Sequence, residues 1–300
     1  MSKTLIGFVT FGGLIFTKEL VRGIKETATK NVDMAAIVGK PGDCETADFL
    51  ESEGIQHLVH QDNMGFPWSV NDLYDYAWVK NNYDYLIIAG NDTIPYPYAI
   101  DGMIEVADKT DNEWISASQY DVRSLCSEFP EVRNQFAEES YNINDFSQEP
   151  WKKFTKFSKK NNVEGQVIKD VQNFCLYKKS VFEKIGYTDV NFFPAYFIDN
   201  DYARRGVNAE LRTCNLDGAV YFHFWSRVLK QVGGGSNSVY FARNSSFYNL
   251  KWGGPFGYEL HKVPFGGVPF PLCGSVLLQP SLKIDSRVDE PQIINYWKSL

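Results

Sequence analysis

Over residues 5–89 short apolar runs alternate with amphipathic stretches, and that alternation narrows the possible folds more than any other feature. Runs at 5–10, 34–38, 55–59 and 85–89 have strand length, and the stretches 17–29, 43–53 and 70–81 repeat apolar residues at helical spacing. Strands alternating with helices in this way predict an α/β fold: a mostly parallel sheet flanked by helices on both faces. Thr17 is placed to cap the first helix, and Gly54 to close the second. A helix at 97–107 and a strand at 114–118 follow. The alternation lapses over 121–165. It returns with a strand at 171–177, a helix at 180–185 ended by Gly186, a helix carrying Arg204 and Arg205, and a strand at 219–222. We expect a core of residues 1–225, with halves at about 1–118 and 119–225, and a C-terminal extension over 226–300. That extension reads as a flexible Gly233–Ser238 segment, a helix bearing Tyr240, Phe241, Tyr248 and Leu250, and a Pro- and Gly-rich wrapping tail.

A net charge of -7 argues against a general polyanion-binding surface. The five cysteines are scattered without C-x-x-C spacing, which predicts reduced thiols rather than a disulfide framework or a zinc site. No run approaches the roughly 20 apolar residues of a membrane span, and the Met-Ser-Lys start leads straight into a strand. A cytoplasmic protein is therefore expected. The aromatic share of 15% suits either a thick core or a surface that stacks on planar or sugar groups. Trp151, Lys152, Lys153, Phe154, Lys156, Phe157, Lys159 and Lys160 form an aromatic and basic run. It reads as a solvated helix face or as a surface for an anionic group or an acceptor.

The run 85–89 stops at Gly90 and opens into Asn91-Asp92-Thr93, and Pro95 and Pro97 are expected to keep the next residues out of a ladder. Open α/β sheets bind ligands just beyond the carboxyl ends of their strands. Asp199 with Asp201, and His223, likewise follow apolar runs. Taken singly, Asp92 reads as a turn residue, Asp201 as a helix cap and His223 as a core histidine. Together they make a set of hard oxygen ligands and one imidazole around an open position, which suits Mn²⁺ or Mg²⁺ and a phosphate. Of Asp199 and Asp201, one can act as a general base while the other shapes the site.

Five segments in this order resemble a family 2 glycosyltransferase of the GT-A fold. They are Gln61-Asp62-Asn63-Met64-Gly65-Phe66 with Asn71, Gly90-Asn91-Asp92-Thr93 as a form of the D-x-D motif, and Leu176-Tyr177-Lys178-Lys179 through Gly186, Asp189 and Phe192-Phe193. Phe197-Ile198-Asp199-Asn200-Asp201 resembles the E-D-x-D motif, and Tyr221-Phe222-His223 the aromatic-His end of the core. Lys251-Trp252-Gly253-Gly254 also resembles a stretch of such enzymes, so the likeness spans roughly residues 4–255.

The resemblance implies inverting transfer of a sugar from a nucleotide-diphosphate donor to an acceptor hydroxyl. Asp92 and His223 would hold the metal, Asp199 would be the base, and Asp201 would support the base or the acceptor. Thr10, Gly12, Asn63, Gly65, Asn71 and Asn91 would lie on the donor side, with Asp43 a substitute contact to the nucleobase. Trp252 would cover donor or acceptor from a mobile segment. Two acidic positions of the family pattern are Gly90 and Ile198 here, so the metal has fewer protein ligands. The acceptor is a glycan or another hydroxyl compound, and the lysine run brings in hydroxymethylated DNA as an alternative. Loss of the two acids motivates a different class, a non-catalytic nucleotide-sugar or glycan binder on the same scaffold. A nucleotidyltransferase shares the sheet and the metal logic and fits the 173–223 region less well.

Overall fold

The computed structural model describes residues 2–120, 173–224, 238–272, 277–287 and 292. The first four strands of a central sheet are β1 (Thr4–Thr10), β2 (Val32–Val38), β3 (Gln56–Val59) and β4 (Tyr85–Gly90). Then come β5 (Thr93–Pro95), β6 (Trp114–Tyr120), β7 (Phe174–Lys178) and β8 (Thr213–His223). Their spatial order is β3-β2-β1-β4-β7-β6-β8-β5. The first four in that order are parallel; β7 runs antiparallel to both β4 and β6, and β5 is antiparallel to β8.

Strand periodicity divides the core between the two faces. Ile6, Phe8, Ile87 and Ala89 pack on one side against α1 (Leu14–Thr27), α2 (Cys44–Ser52) and α4 (Ala99–Lys109). Leu5, Val9, Leu86 and Ile88 pack on the other. They meet α3 (Gly65–Tyr74), its π-helical continuation Asp75–Lys80, α5 (Lys179–Ile185) and α6 (Ile198–Asn208). A third cluster joins Phe192 and Ile198 to Phe247, Tyr248 and Trp252 of α7 (Val239–Trp252). From the C-terminal part, Ile284 bridges to Gly186, and Arg287 reaches Asp72 and Asp75 on α3 and its continuation.

Helix α1 starts at Leu14 behind Gly13, so Thr17 lies inside the helix and does not cap it. Three further elements differ from the sequence reading. Thr93–Pro95 does join a ladder, because β5 is an edge strand and a proline at an edge leaves no inner partner unsatisfied. Strand β8 starts at Thr213 rather than 219, and the interrupting Asp217-Gly218 is absorbed as a bulge opposite Ala117 and Ser118. Helix α3 starts at Gly65 rather than 70, since Pro67 falls in its first turn, where no intrahelical N–H is needed. Among the described residues no helix is long and apolar enough to cross a membrane. The lysine run at 151–160 and the glycines 233–235 lie outside the described residues.

Candidate active site

Strands β4, β6 and β8 finish at one edge of the sheet, and β7 begins there. The β4–β5 turn puts Asp92 beside the last residue of β8, because Thr93 pairs with His223. His223 Nε2 lies 3.4 Å from Asp92 Oδ1, and both residues are buried. The Phe224 N–H donates to the Asp92 carbonyl oxygen at 2.9 Å and fixes that turn from the other side. A side chain at Gly90 would crowd the pair, since a Cβ there would stand 3.2 Å from Asp92 Oδ1. No third His, Cys, Asp or Glu joins them among the described residues. A carboxylate oxygen and an imidazole nitrogen this close are suitable donors for Mn²⁺ or Mg²⁺.

Three residues surround His223, and none of them was expected at the site as a functional residue. Gln119 Oε1 lies 3.1 Å from His223 Nδ1 and accepts from the Tyr221 hydroxyl, also at 3.1 Å. The Asn173 amide nitrogen lies 3.3 Å from His223 Nε2, and its backbone N–H donates to the Tyr221 oxygen at 3.2 Å. Burial raises the Tyr221 hydroxyl well above its ordinary value, so it stays protonated as a donor. Only Tyr221 carried a sequence signal, as part of the Tyr-Phe-His triplet.

Asp199 and Asp201 lie in the first turn of α6 and fare differently. Asp199 is half-buried, and its Oδ1 accepts from the Asn200 N–H at 3.0 Å. Asp201 is wholly buried. Its Oδ2 meets Arg205 Nε at 3.0 Å, and its Oδ1 meets Lys251 Nζ at 2.7 Å and the Trp252 indole N–H at 3.0 Å. Lys251 also reaches Asp189 Oδ2 at 2.7 Å. Burial alone would raise the Asp189 carboxyl, but the Lys251 ammonium overrides it and holds the group below its ordinary value. Asp201 is therefore placed to hold α6, without an oxygen turned to solvent. Trp252 does not stand over a ligand pocket from a mobile segment; its ring is wholly buried at the end of α7, packed with Phe192 and Ile198.

The loop before α6 is shaped by α7. Tyr196 and Phe197 both have left-handed backbone. The buried Asn244 amide donates to the carbonyls of Phe192 at 2.8 Å, Ala195 at 2.5 Å and Tyr196 at 3.3 Å, and Arg243 donates to that of Phe193.

The donor-side residues divide in the same way. Asn91 is buried and donates to the Gly12 carbonyl at 3.2 Å and the Thr17 hydroxyl at 3.3 Å, tying the β4–β5 turn to the β1–α1 turn and the first turn of α1. Gly12 has φ +78, and a Cβ there would meet the Lys40 stem at 3.4 Å. Thr10 is buried at the end of β1, and its hydroxyl has no hydrogen-bond partner among the described residues. Asn63 is exposed and accepts from the Gly65 N–H at 3.1 Å. Gly65 is buried against Phe193 and Pro194. Two expectations give way to local structure. Asp43 spends both oxygens on Thr46 as the cap of α2, so it does not reach out to a nucleobase. Asn71 is buried, with its amide exchanging hydrogen bonds with Thr188.

No protein-family profile matches the chain, and no curated protein does. Solved structures do. A mannosyltransferase from Pyrobaculum calidifontis, PcManGT, in complex with GDP-Man and Mn²⁺, superposes with a TM-score of 0.50 at 10% identity, over 74% of this chain. The chain spans 56% of that protein's length. S. aureus TarS, residues 1–349, superposes with a TM-score of 0.53 at 10% identity, over 82% of this chain and 73% of TarS. The same TarS piece in complex with UDP-GlcNAc gives 0.53 over 74% of this chain and 58% of that one. At such identities the likeness speaks to architecture, and the architecture of this chain is the GT-A fold: an α/β sheet flanked by helices, shared with glycosyltransferases.

Proposed function

We propose that this protein is an inverting, metal-assisted glycosyltransferase using a nucleotide-diphosphate sugar. The observation that carries the reading is the approach of His223 to Asp92 at 3.4 Å on the strand-end edge of a GT-A sheet. The solved neighbours named above are glycosyltransferases, in complexes with GDP-Man and Mn²⁺ or with UDP-GlcNAc. A divalent ion held by Asp92 and His223 would neutralise the leaving diphosphate as a Lewis acid. Asp199 takes the proton of the acceptor hydroxyl as that oxygen bonds to the anomeric carbon and the bond from carbon to the diphosphate oxygen breaks. Attack in line with the leaving group inverts the anomeric centre. Asp201 contributes by anchoring the helix that carries Asp199, and Asn91 and the β1–α1 turn border the donor. A hydroxyl-bearing glycan or small molecule is the acceptor class this reading takes.

The test is a thermal-shift panel of nucleotide diphosphates and nucleotide sugars, each with and without Mn²⁺. A ligand at 100 times its Kd adds about 2.7 kcal/mol to the native state. A metal-dependent rise with one nucleotide diphosphate supports the reading and names the donor base. No rise with any of them overturns it.

A further inference from the structure

We propose that Arg243 binds an oxyanion of the acceptor: the acceptor carries a phosphate or carboxylate near the hydroxyl it offers, and the uncommitted edge of the Arg243 guanidinium holds that group. This rests on the reading of Asp199 as the base given above.

Arg243 lies near the start of α7, whose cap is the Ser238 hydroxyl accepting from the Phe241 N–H at 3.2 Å. Its Nη2 donates to the Phe193 carbonyl, and Nε and Nη2 each stand 3.4 Å from Asn244 Oδ1. Nη1 makes no hydrogen bond among the described residues. The other described arginines, Arg22, Arg204, Arg205, Arg212 and Arg287, each lie within ion-pairing distance of a carboxylate. Arg243 has no such partner among the described residues, although it is half-buried. Burial pulls its guanidinium below the ordinary value, and no acid opposes the shift. Drawing a charge partly out of water without a counter-charge is unfavourable, and an arriving anion relieves it.

The loop that Arg243 touches does not need that charge. Asn244, the next residue, serves three carbonyls of the same loop with a neutral amide. The loop also gives Arg243 its side of the site. It runs from Phe193, packed on Gly65 at the start of α3, through Tyr196 to Asp199 three residues later. The base meets the acceptor hydroxyl, whereas Asp92 and His223 serve the donor diphosphate. A planar guanidinium suits phosphate and carboxylate oxygens. The Tyr240 ring centre lies 5.2 Å from it, and Tyr240 is 42% exposed, an aromatic wall for the carbon skeleton that carries the anion.

The test uses the full chain, titrated with glucose, glucose 6-phosphate, glucuronate and inorganic phosphate. The arginine Nε–H resonances report the site, and loss of one in Arg243→Lys assigns Arg243. Ligand-observed saturation transfer gives the sugar affinities. Glucose 6-phosphate or glucuronate should move the Arg243 signal and bind at least about 10-fold more tightly than glucose. Arg243→Gln, which keeps an amide donor for Phe193, should lose that preference. Arg212→Gln, which removes a charge exposed beside Asp111, should keep it. An Arg243 signal that no probe moves overturns the proposal even if Arg243→Gln fails to fold, and so does a preference that survives Arg243→Gln. Inorganic phosphate that binds at Arg243 as tightly as both sugar anions would mean an adventitious ion only, and overturns the acceptor assignment. A nucleotide diphosphate that loses affinity in Arg243→Gln overturns it too, by moving Arg243 to the donor. Sugar anions held at Arg243 in a protein that binds no nucleotide diphosphate overturn the glycosyltransferase reading instead.

Discussion

Lys251 Nζ lies 2.7 Å from Asp201 Oδ1, and the same ammonium lies 2.7 Å from Asp189 Oδ2. One cation at the end of α7 thereby joins the first turn of α6 to the segment ahead of Phe192. Arg205 supplies the second positive charge against Asp201, so two carboxylates meet two cations in a place almost without solvent. Removing one partner of a buried ion pair strands the other, at about 3–5 kcal/mol. Lys251→Met is expected to lose that much in denaturant unfolding, through a lower midpoint at unchanged slope. Wild-type stability would show that the cluster does not hold the two segments together.

The same cluster gives a pH dependence. The folded Asp189 carboxyl lies below its ordinary value of 3.8, because Lys251 overrides the effect of burial. A carboxyl depressed in the folded state contributes stability above its unfolded value and loses it as pH falls towards the folded one. Wild-type stability should therefore drop as pH falls below about 4. In Asp189→Asn that part of the slope should be missing when melts are compared from pH 5 to pH 2.5.

The parallel half of the fold was legible because its signals are local. Each run from Leu5 to Ala89 shows its own period, and a buried parallel strand is simply apolar. The pairing of Asp92 with His223 could be suspected, since both follow apolar runs, but their approach depends on β5 pairing with β8 at the far edge. Asp201 and Trp252 show the limit of the method. Their residue types fit a site, and only the packing of α7 on α6 reveals that they satisfy one another in the core. Asn244 and Gln119 carry no local signal at all; each matters through neighbours distant in the chain.

Gly65 belongs to a segment read as donor-binding, and the structure gives it a second, steric reason. Its φ is +81, and a Cβ would stand 2.7 Å from the Phe193 ring and 3.0 Å from the Pro194 oxygen. The next residue, Phe66, donates its N–H to that oxygen at 2.6 Å. Gly65→Ala should cost at least about 1–2 kcal/mol from the left-handed backbone alone, with the clash added. Adding Phe193→Ala should recover only part of the loss in thermal melts, since the backbone strain and the Pro194 contact remain. Full recovery would assign the whole cost to the ring.

Asn244 should couple stability to turnover. Its amide is buried and serves the carbonyls of Phe192, Ala195 and Tyr196 in the loop that leads into α6. Asn244→Ala leaves those oxygens short of a buried donor, at about 1–3 kcal/mol. If that loop sets the place of Asp199, kcat should fall in the folded variant while donor affinity, read by calorimetry, stays at the wild-type value. A variant that loses stability but keeps kcat would confine Asn244 to the core.

Asp199 and Asp201 should separate cleanly in experiment, although they stand two residues apart. Asp199 is half-buried in the first turn of α6, whereas Asp201 is enclosed by Arg205, Lys251 and Trp252. Asp199→Asn changes a base into a neutral amide of the same shape. It should lower kcat by at least about 100-fold, the usual worth of a general base, with donor binding and melting temperature unchanged. Asp201→Asn removes the charge that offsets Arg205 and Lys251, so its main effect should be on stability, with the folded fraction retaining turnover. Kinetics normalised to folded protein, alongside calorimetric donor titration, tell the two apart. Undiminished turnover in Asp199→Asn would remove Asp199 as the base and turn the search to the acceptor side of the site.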